Sequence, residues 1–221
     1  MLSGADTTLA SERALRARPG IPPTLDGIDA AAIDRLQRDA LKRPADPADA
    51  GSSGLRGLIA ANHCWNRLLW NEEDQARRQD VADAAIVRNK RAIDRYNQQR
   101  NDAIESIDDR LLAAAADTPP ADDAWLNSET AGSIIDRLSI NLLKLHHMGL
   151  QAQRSDASAE HRARCAERVQ RLEAQREDLL GCLQHLLDGL RDGHCCFRIY
   201  RQFKMYNDPA LNPCLHQGRS R

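Results

Sequence analysis

The sequence is poor in the residues that β-structures, membrane spans and nucleic-acid binders require. Only 4% of its 221 residues are aromatic, and it contains 12 glycines and 9 prolines. A β-sandwich or barrel needs more aromatic and β-branched residues, so we expect helices instead. No apolar run reaches the roughly 18 residues of a membrane span. The formal net charge of −1 lacks the basic surface of a general nucleic-acid binder. We therefore expect no membrane span and no nucleic-acid partner.

The beginning of the chain and its cysteines bear on the compartment. Residues 1–25 carry Asp6, Glu12 and several arginines without a continuous apolar core, unlike a secretory signal. We therefore expect a cytoplasmic protein. The six cysteines are then expected to be free thiols, because disulfides persist mainly in oxidising compartments.

Apolar residues recur at helical spacing along most of the chain, which predicts an all-α protein. We expect an up-down helical bundle of about four main helices with a C-terminal arm packed on it. Thr130 is an expected N-cap, and Gly149 and Gly193 are expected helix stops. The predicted long helices cover residues 55–78, 84–116, 130–148 and 157–191. The expected organisation is a flexible N-terminal arm at 1–24, a short helix and linker at 25–54, the helical bundle at 55–193 and the C-terminal arm at 194–221.

Polar side chains interrupt the apolar seam of the predicted helix 84–116. Asn97 and Arg100 occupy positions of that seam, and Asn101, Glu105 and Asp108 lie directly beside it on the helical wheel. A solvated helix face usually shows alternating acidic and basic residues, whereas amides and acids cluster here. The pattern favours a polar site at the edge of the core.

The two neighbouring predicted helices carry polar residues that match this wedge. On the helix 55–78, His63, Asn66 and Glu73 accompany Trp70 on one stripe, which indicates the wall of a cleft. The helix 130–148 is apolar nearly all round, so its polar residues need partners inside the bundle, because unpaired buried charge is costly. These residues are Asp136, Arg137, Asn141, Lys144 and His147. We expect the polar groups of the three helices to pair with one another.

Hydroxyl residues and a glycine open the predicted helix 130–148. A helix N-terminus carries free backbone N–H groups and the positive end of the helix dipole, so it attracts phosphate or carboxylate. A glycine lets a ligand approach those N–H groups closely. We therefore expect an anion at this segment, near Ser128, Glu129 and Ser133.

Two further groupings contain the residue types that bind metals. Glu105 and Asp108, together with the acidic run 72–74 on the preceding helix, resemble carboxylate clusters that hold Mg²⁺ against a diphosphate, although Gln75 and Ala76 interrupt the usual first half of that pattern. Zinc ligand types occur near the C-terminus, although adjacent cysteines lack the usual spacing of a zinc site. This second group is His194, Cys195, Cys196, Cys214 and His216. No cofactor follows with certainty, and Mg²⁺ is the one candidate.

Four segments of the chain carry a family resemblance. They are LWNEEDQAR at 69–77, IDRYNQQRNDAIESID at 93–108, NSETAGSIIDRLSINLLKLHHM at 127–148 and YRQFKMYNDPALNP at 200–213. Together they resemble a bacterial family of uncharacterised helical proteins, domain of unknown function forty-two fifty-four. The third segment of that family reads ETPGSIIDRLSIL, so Ala131 replaces a proline here. The resemblance implies no established activity. It implies a setting beside glycosyltransferases for cell-surface polysaccharide.

The preferred interpretation is a bundle that binds a small anionic metabolite, such as a nucleotide sugar, between its helices and the C-terminal arm. His63, Glu73 or Asp136 would act as general acid or base. The expected ligand-binding residues are Asn66, Asn97, Gln98, Arg100, Asn101, Ser128, Glu129, Ser133, Arg137 and Lys144. One alternative is a Mg²⁺-dependent all-α nucleotide pyrophosphohydrolase built on Glu72, Glu73, Glu105 and Asp108. Another is a non-catalytic scaffold or adaptor that forms a homo-oligomer.

Overall fold

Five α-helices make up most of the part of the chain that the structure, a computed structural model, describes: residues 28–51, 54–201 and 210–213. The helices are α1 (Ala30–Ala40), α2 (Leu55–Ala76), α3 (Asp83–Ala114), α4 (Ala131–Ala152) and α5 (Ala159–Asp192). A 3₁₀ turn at Pro47–Gly51 precedes α2. Two short strands, β1 (Trp125–Asn127) and β2 (Cys195–Phe197), complete the order. The predicted all-α class is confirmed. The expected arm at 1–24 and most of the C-terminal arm beyond residue 201 lie outside the described residues.

The helices pack as a bundle around one apolar core. α2 lies along α3 and α4 along α5, while α1 contacts α2, α4 and α5. Ile59, Ile107, Leu138, Leu183 and Leu186 are at most 1% exposed and form the centre of this core. No helix in the described part of the chain combines the length and the apolar character that a membrane crossing needs.

Side-chain caps and one glycine fix several helix ends. Thr130 Oγ1 accepts from the Ser133 N–H at 3.1 Å, and Ser158 Oγ accepts from the His161 N–H at 3.1 Å. Gly193 ends α5 with a left-handed φ of 74°. The prediction that Gly149 stops the third long helix is wrong, because α4 continues to Ala152. A glycine inside a helix costs only about 1 kcal/mol, which the packing of α4 overrides.

The two strands position the start of the C-terminal arm. β1 and β2 pair in parallel, with Trp125 opposite Cys195 and Asn127 opposite Phe197. Phe197 is 4% exposed, so it anchors β2 in the core. Strands of three residues are too short for an alternating pattern, and the sequence did not predict them. They direct residues 198–201 towards α3 and the N-terminus of α4.

A buried arginine joins three of the helices. Arg176 of α5 is 1% exposed, and its Nε donates to Asp34 Oδ1 of α1 at 2.6 Å. Its Nη1 donates to the Leu138 carbonyl at 2.7 Å and its Nη2 to Gln37 Oε1 at 3.2 Å. This residue occupies an apolar position of the α5 seam because its guanidinium has partners on α1 and α4.

Gly132 marks the point where α3 and α4 approach most closely. A Cβ atom there would lie 2.6 Å from the Ile104 carbonyl oxygen and 2.8 Å from Asp108 Oδ1. We expect Gly132→Ala to lower the free energy of unfolding by about 2 kcal/mol, because backbone atoms cannot yield as a side chain can. Gly181→Ala is the matched control, since nothing lies within 4 Å of its Cβ position on α5. That variant should gain about 0.5–1 kcal/mol. Urea denaturation measures both, and equal effects would contradict the close approach.

Candidate functional site

Asp136 of α4 is the centre of a buried hydrogen-bond network between α2 and α4. Its Oδ1 accepts from Asn62 Nδ2 at 2.9 Å and from Asn66 Nδ2 at 2.8 Å. All three side chains belong to residues at most 5% exposed. A carboxylate that leaves water needs such donors. Asp136 therefore pairs with α2 as the sequence predicts. The prediction is wrong for Asn141, which hydrogen-bonds to α5, and for Arg137 and Lys144, which are exposed.

The network continues from Asn66 to a buried histidine. Asn66 Nδ2 also donates to Ser139 Oγ at 3.0 Å, and Ser139 Oγ lies 2.8 Å from His63 Nδ1. Burial, aided by the charges of Arg67 and Arg176, lowers the pKa of His63 from 6.5 to about 3. His63 is therefore neutral, and its Nδ1 shares a hydrogen bond with the Ser139 hydroxyl, while Nε2 is buried without a hydrogen-bond partner among the described residues. Its 0% exposure gives His63 the position of a structural side chain.

Arg100 of α3 brings a positive charge to the same carboxylate. Its Nε lies 3.4 Å from Asp136 Oδ1, an ion pair whose N–H direction does not form a hydrogen bond. Its Nη1 donates a long hydrogen bond of 3.5 Å to Asn97 Oδ1. The side chain is 28% exposed, and Nε is buried without a hydrogen-bond partner among the described residues. A guanidinium has five N–H donors, and most of those of Arg100 have no hydrogen-bond partner among the described residues.

A cavity of about 240 Å³, called cavity one, opens beside Asp136 between α3, the start of α4 and the C-terminal arm. Its lining combines arginines, carboxylates, hydroxyls and an amide with one aromatic ring. These residues are Arg100, Asn101, Ile104, Glu105, Asp108, Thr130, Ser133, Asp136, Arg137, Ile199 and Tyr200. Most of the predicted site residues on α3 and α4 therefore meet at one place.

The C-terminal arm closes one side of cavity one and is tied to α3 there. Arg201 Nη1 donates to Glu105 Oε2 at 2.7 Å, and its Nη2 donates to both oxygens of Asp109 at 2.9 Å. These contacts hold Ile199 and Tyr200 at the cavity wall. The sequence predicts that the arm packs on the bundle, and residues 195–201 do so.

A second cavity of about 420 Å³, called cavity two, lies between α2, α3 and α4. One wall is apolar and includes Trp70, whose ring stacks on His147 at 4.5 Å between centroids and an interplanar angle of 8°. The rim is polar. The full lining is Asn66, Leu69, Trp70, Glu73, Asp74, Arg77, Asn97, Arg100, Ile140 and Leu143. Arg100 is the residue that lines both cavities.

The N-terminus of α4 already holds an anion of the chain itself. Asp108 Oδ1 accepts from the Gly132 N–H at 2.6 Å, and Thr130 also hydrogen-bonds to this carboxylate. Burial raises the pKa of Asp108 from 3.8 to about 6, helped by Asp109 and Glu105 and opposed by the two hydrogen bonds. The sequence predicts a bound anion at this helix end, and the structure places the carboxyl group of Asp108 there.

The remaining predicted site residues do not line cavity one. Asn66, Glu73 and Asn97 border cavity two, while His63 borders neither cavity. Gln98 Nε2 donates to Asp102 at 2.5 Å on the surface. Glu129 pairs with Arg137 at 2.9 Å beside cavity one. Ser128 and Lys144 are exposed and line neither of the two cavities.

The carboxylates expected to hold Mg²⁺ are divided between the cavities. Glu73 and Asp74 border cavity two, whereas Glu105 and Asp108 border cavity one. Within residues 28–51, 54–201 and 210–213, no three His, Cys, Asp or Glu side chains are arranged to hold a metal ion. In the second expected group, Cys195 is buried, which raises the pKa of its thiol. Cys214 and His216 lie outside the described residues.

Some lining residues carried no signal in the sequence. Thr130 was assigned only a capping role, and Tyr200 was assigned only to the arm, yet both border cavity one. Their positions depend on the pairing of β1 with β2 and on the clamp formed by Arg201. Asn62 and Ser139, the inner members of the network, sit among apolar neighbours in sequence and could be found only from the structure.

Comparison with known proteins identifies a family whose function is unknown. The model of the family described as "Protein of unknown function (DUF4254)" matches residues 56–199, which include α2 to α5 and both strands. No curated protein and no solved structure matches the chain. The chain therefore belongs to the DUF4254 family, as the resemblance of its sequence segments predicts. The first three segments lie within the match, and the segment 200–213 follows it.

Proposed function

We propose that the protein binds a phosphorylated sugar, such as a nucleotide sugar, with its phosphate on Arg100. One observation carries this proposal. The partly enclosed Arg100 guanidinium borders both cavities, and its buried Nε has no hydrogen-bond partner among the described residues. The planar guanidinium matches two oxygens of a phosphate. A bound anion would remove the free-energy cost of the unpaired donor.

The contact between Arg100 and Asp136 leaves the guanidinium able to bind a phosphate. Asp136 Oδ1 already accepts from Asn62 and Asn66, and Arg100 approaches it only to 3.4 Å. The carboxylate therefore orients the guanidinium without using its N–H donors. Arg137 is exposed at the wall of cavity one and would add a second positive charge beside the phosphate.

The rest of cavity one suits the sugar. Carboxylate oxygens of Glu105 and Asp136 accept hydrogen bonds from hydroxyl groups, and the Ser133 hydroxyl both donates and accepts. Tyr200 offers an aromatic ring at the wall, where the apolar face of a sugar can pack. Such a ligand also fits the expected setting beside glycosyltransferases, whose donor substrates are nucleotide sugars.

Thermal-shift measurements on the full chain test the proposal. The ligands are glucose 1-phosphate, UDP-glucose and inorganic phosphate, each with and without Mg²⁺. A phosphorylated sugar at 100 times its Kd should stabilise the protein by about 2.7 kcal/mol. Arg100→Gln should weaken binding roughly ten- to a hundredfold, because it removes charge-assisted hydrogen bonds. Arg95→Gln, an exposed arginine on the same helix, should bind as the unaltered protein does.

Arg137→Gln is a second test that does not disturb the buried network, because Arg137 is exposed. It should weaken binding by a smaller factor than Arg100→Gln. The absence of a shift with every phosphorylated sugar would contradict the proposal and favour the scaffold. A shift that depends on Mg²⁺, unaffected by Arg100→Gln, would favour the pyrophosphohydrolase instead.

A further inference from the structure

Cavity two has the two kinds of wall that a flat heteroaromatic ring needs. Leu69, Ile140 and Leu143 give it an apolar side, and Trp70 adds an aromatic ring. Asn66 and Asn97 stand on its polar side. Aromatic stacking gives affinity for nucleobases, and amide groups read the donors and acceptors along a base edge.

Trp70 is held in place before any ligand arrives. Its ring lies parallel to His147 at 4.5 Å, so one of its faces is covered by α4. A fixed aromatic ring loses little conformational entropy when a second ring packs against it. The indole Nε1–H is buried without a hydrogen-bond partner among the described residues. A ligand acceptor that reaches this N–H would satisfy it.

The two asparagines offer complementary hydrogen-bonding atoms. Asn66 uses its Nδ2 hydrogens on Asp136 and Ser139, and within the described chain its Oδ1 accepts no hydrogen bond. Asn97 Oδ1 accepts from Arg100, and its Nδ2 donates to no residue of the described ranges. The charged neighbours of each amide fix which atom is oxygen and which is nitrogen. One acceptor and one donor therefore remain at the border of the same cavity.

We infer that cavity two is the nucleobase subsite of a nucleoside diphosphate sugar. The inference rests on the proposed function, because the phosphate contact with Arg100 sets the position of the ligand. Arg100 stands between the cavities, so the diphosphate lies across it, with the base beside Trp70 and the sugar in cavity one. Glu73 and Asp74 on the rim of cavity two supply carboxylate oxygens of the kind that accept from ribose hydroxyls.

A pair of matched variants separates the two subsites. Asn97 borders cavity two, and Asn101, one helical turn later on α3, borders cavity one. Each is replaced by leucine, which keeps the side-chain size and removes the amide. Calorimetric titrations then measure the Kd of UDP-glucose, GDP-mannose and ADP-glucose, and of glucose 1-phosphate and mannose 1-phosphate, with melting curves to verify folding.

At least one nucleotide sugar should bind about tenfold or more tightly than its sugar 1-phosphate. Asn97→Leu should weaken the binding of the nucleotide sugar about tenfold more than that of the sugar 1-phosphate, the effect of one well-formed hydrogen bond. Any loss through the contact of Asn97 with Arg100 is common to both ligand classes. Asn101→Leu should weaken sugar 1-phosphate and nucleotide sugar by the same factor. Nucleotide sugar should also quench tryptophan fluorescence, and Trp70→Phe should abolish that quenching.

Equal affinity for nucleotide sugars and sugar 1-phosphates would overturn the subsite and leave the proposed function intact. The subsite is likewise overturned if Asn97→Leu weakens the binding of both ligand classes equally. If neither class binds the unaltered protein, the proposed function and the subsite fall together.

Discussion

Asp34→Ala is expected to lower the free energy of unfolding by about 4 kcal/mol, because it leaves the buried Arg176 guanidinium without its carboxylate. Arg176 Nη2 lies 2.5 Å from Asp34 Oδ1, and its side chain is only 2% exposed. Burial lowers the pKa of Arg176, and Asp34 partly opposes that change. Burial alone would raise the pKa of Asp34, but hydrogen bonds from Arg38 and Arg176 hold it below 3.8. The folded protein therefore favours the ionised form of Asp34.

Arg38 provides a control for this loss of stability, because it pairs with the same carboxylate. Asp34 also pairs with Arg38, which is 52% exposed, at 2.9 Å. Arg38→Gln should cost less than about 1 kcal/mol, as surface ion pairs do. The double variant Asp34→Ala, Arg176→Leu should be clearly more stable than Asp34→Ala alone, because it also removes the unpaired charge. Urea denaturation measures the free energy of unfolding of the unaltered protein and of these three variants. A loss in Asp34→Ala no larger than in Arg38→Gln would show that Arg176 finds other partners.

The second large effect concerns Asp108 and depends on pH. The folded pKa of Asp108 is about 6, above its ordinary value of 3.8, so the folded state disfavours the ionised carboxyl. The contribution of Asp108 to stability therefore decreases as pH rises from 3.8 to about 6, and it stays constant outside that window. A rise of about two pKa units corresponds to a decrease of about 3 kcal/mol.

Asp108→Asn keeps an oxygen for the Gly132 N–H and removes the charge. Its stability relative to the unaltered protein should rise by about 3 kcal/mol between pH 3.5 and pH 7. Asp178→Asn, which changes an exposed acid on α5, corrects for the general effect of removing an acid. Denaturation curves across this range measure the difference. A stability difference for Asp108→Asn that does not change with pH would contradict the raised pKa.

Much of the bundle could be predicted because the helices are long and their apolar residues keep one spacing. The Thr130 cap and the Gly193 stop, both predicted, lie where local chemistry alone decides the helix end. Gly149 misled the prediction because tertiary packing outweighs a modest local cost. The β1–β2 pair depends on residues nearly 70 positions apart, such as Trp125 and Cys195, which no local pattern relates.

The candidate site could be predicted as a region more readily than as a set of contacts. The positions of Asn97, Arg100 and Asn101 on the helical wheel predict which face of α3 lies at the edge of the core. All three residues line the two cavities at that edge. It could not show that Asp108 would occupy the α4 N-terminus, because this requires the close crossing at Gly132. Nor could spacing show that His63 would be sealed inside the bundle by Ser139.

The buried polar network and the two cavities have different roles in the molecule. Asn62, Asn66 and Asp136 satisfy one another and fix the register of α2 against α4. Arg100 stands at the edge of that network with donors left over, and both cavities open on it. The buried Nε without a partner among the described residues is the reason why we propose a ligand at Arg100.

The Nε–H resonance of Arg100, followed by NMR during titration with glucose 1-phosphate, tests this central claim most directly. Loss of one arginine signal in Arg100→Gln assigns the resonance, and burial of Nε slows its exchange with water. We expect this signal to move saturably as the phosphate binds, while the signal lost in Arg95→Gln stays in place. An Arg100 signal that does not move, or moves only together with those of exposed arginines, would contradict the role of Arg100 as the anion anchor.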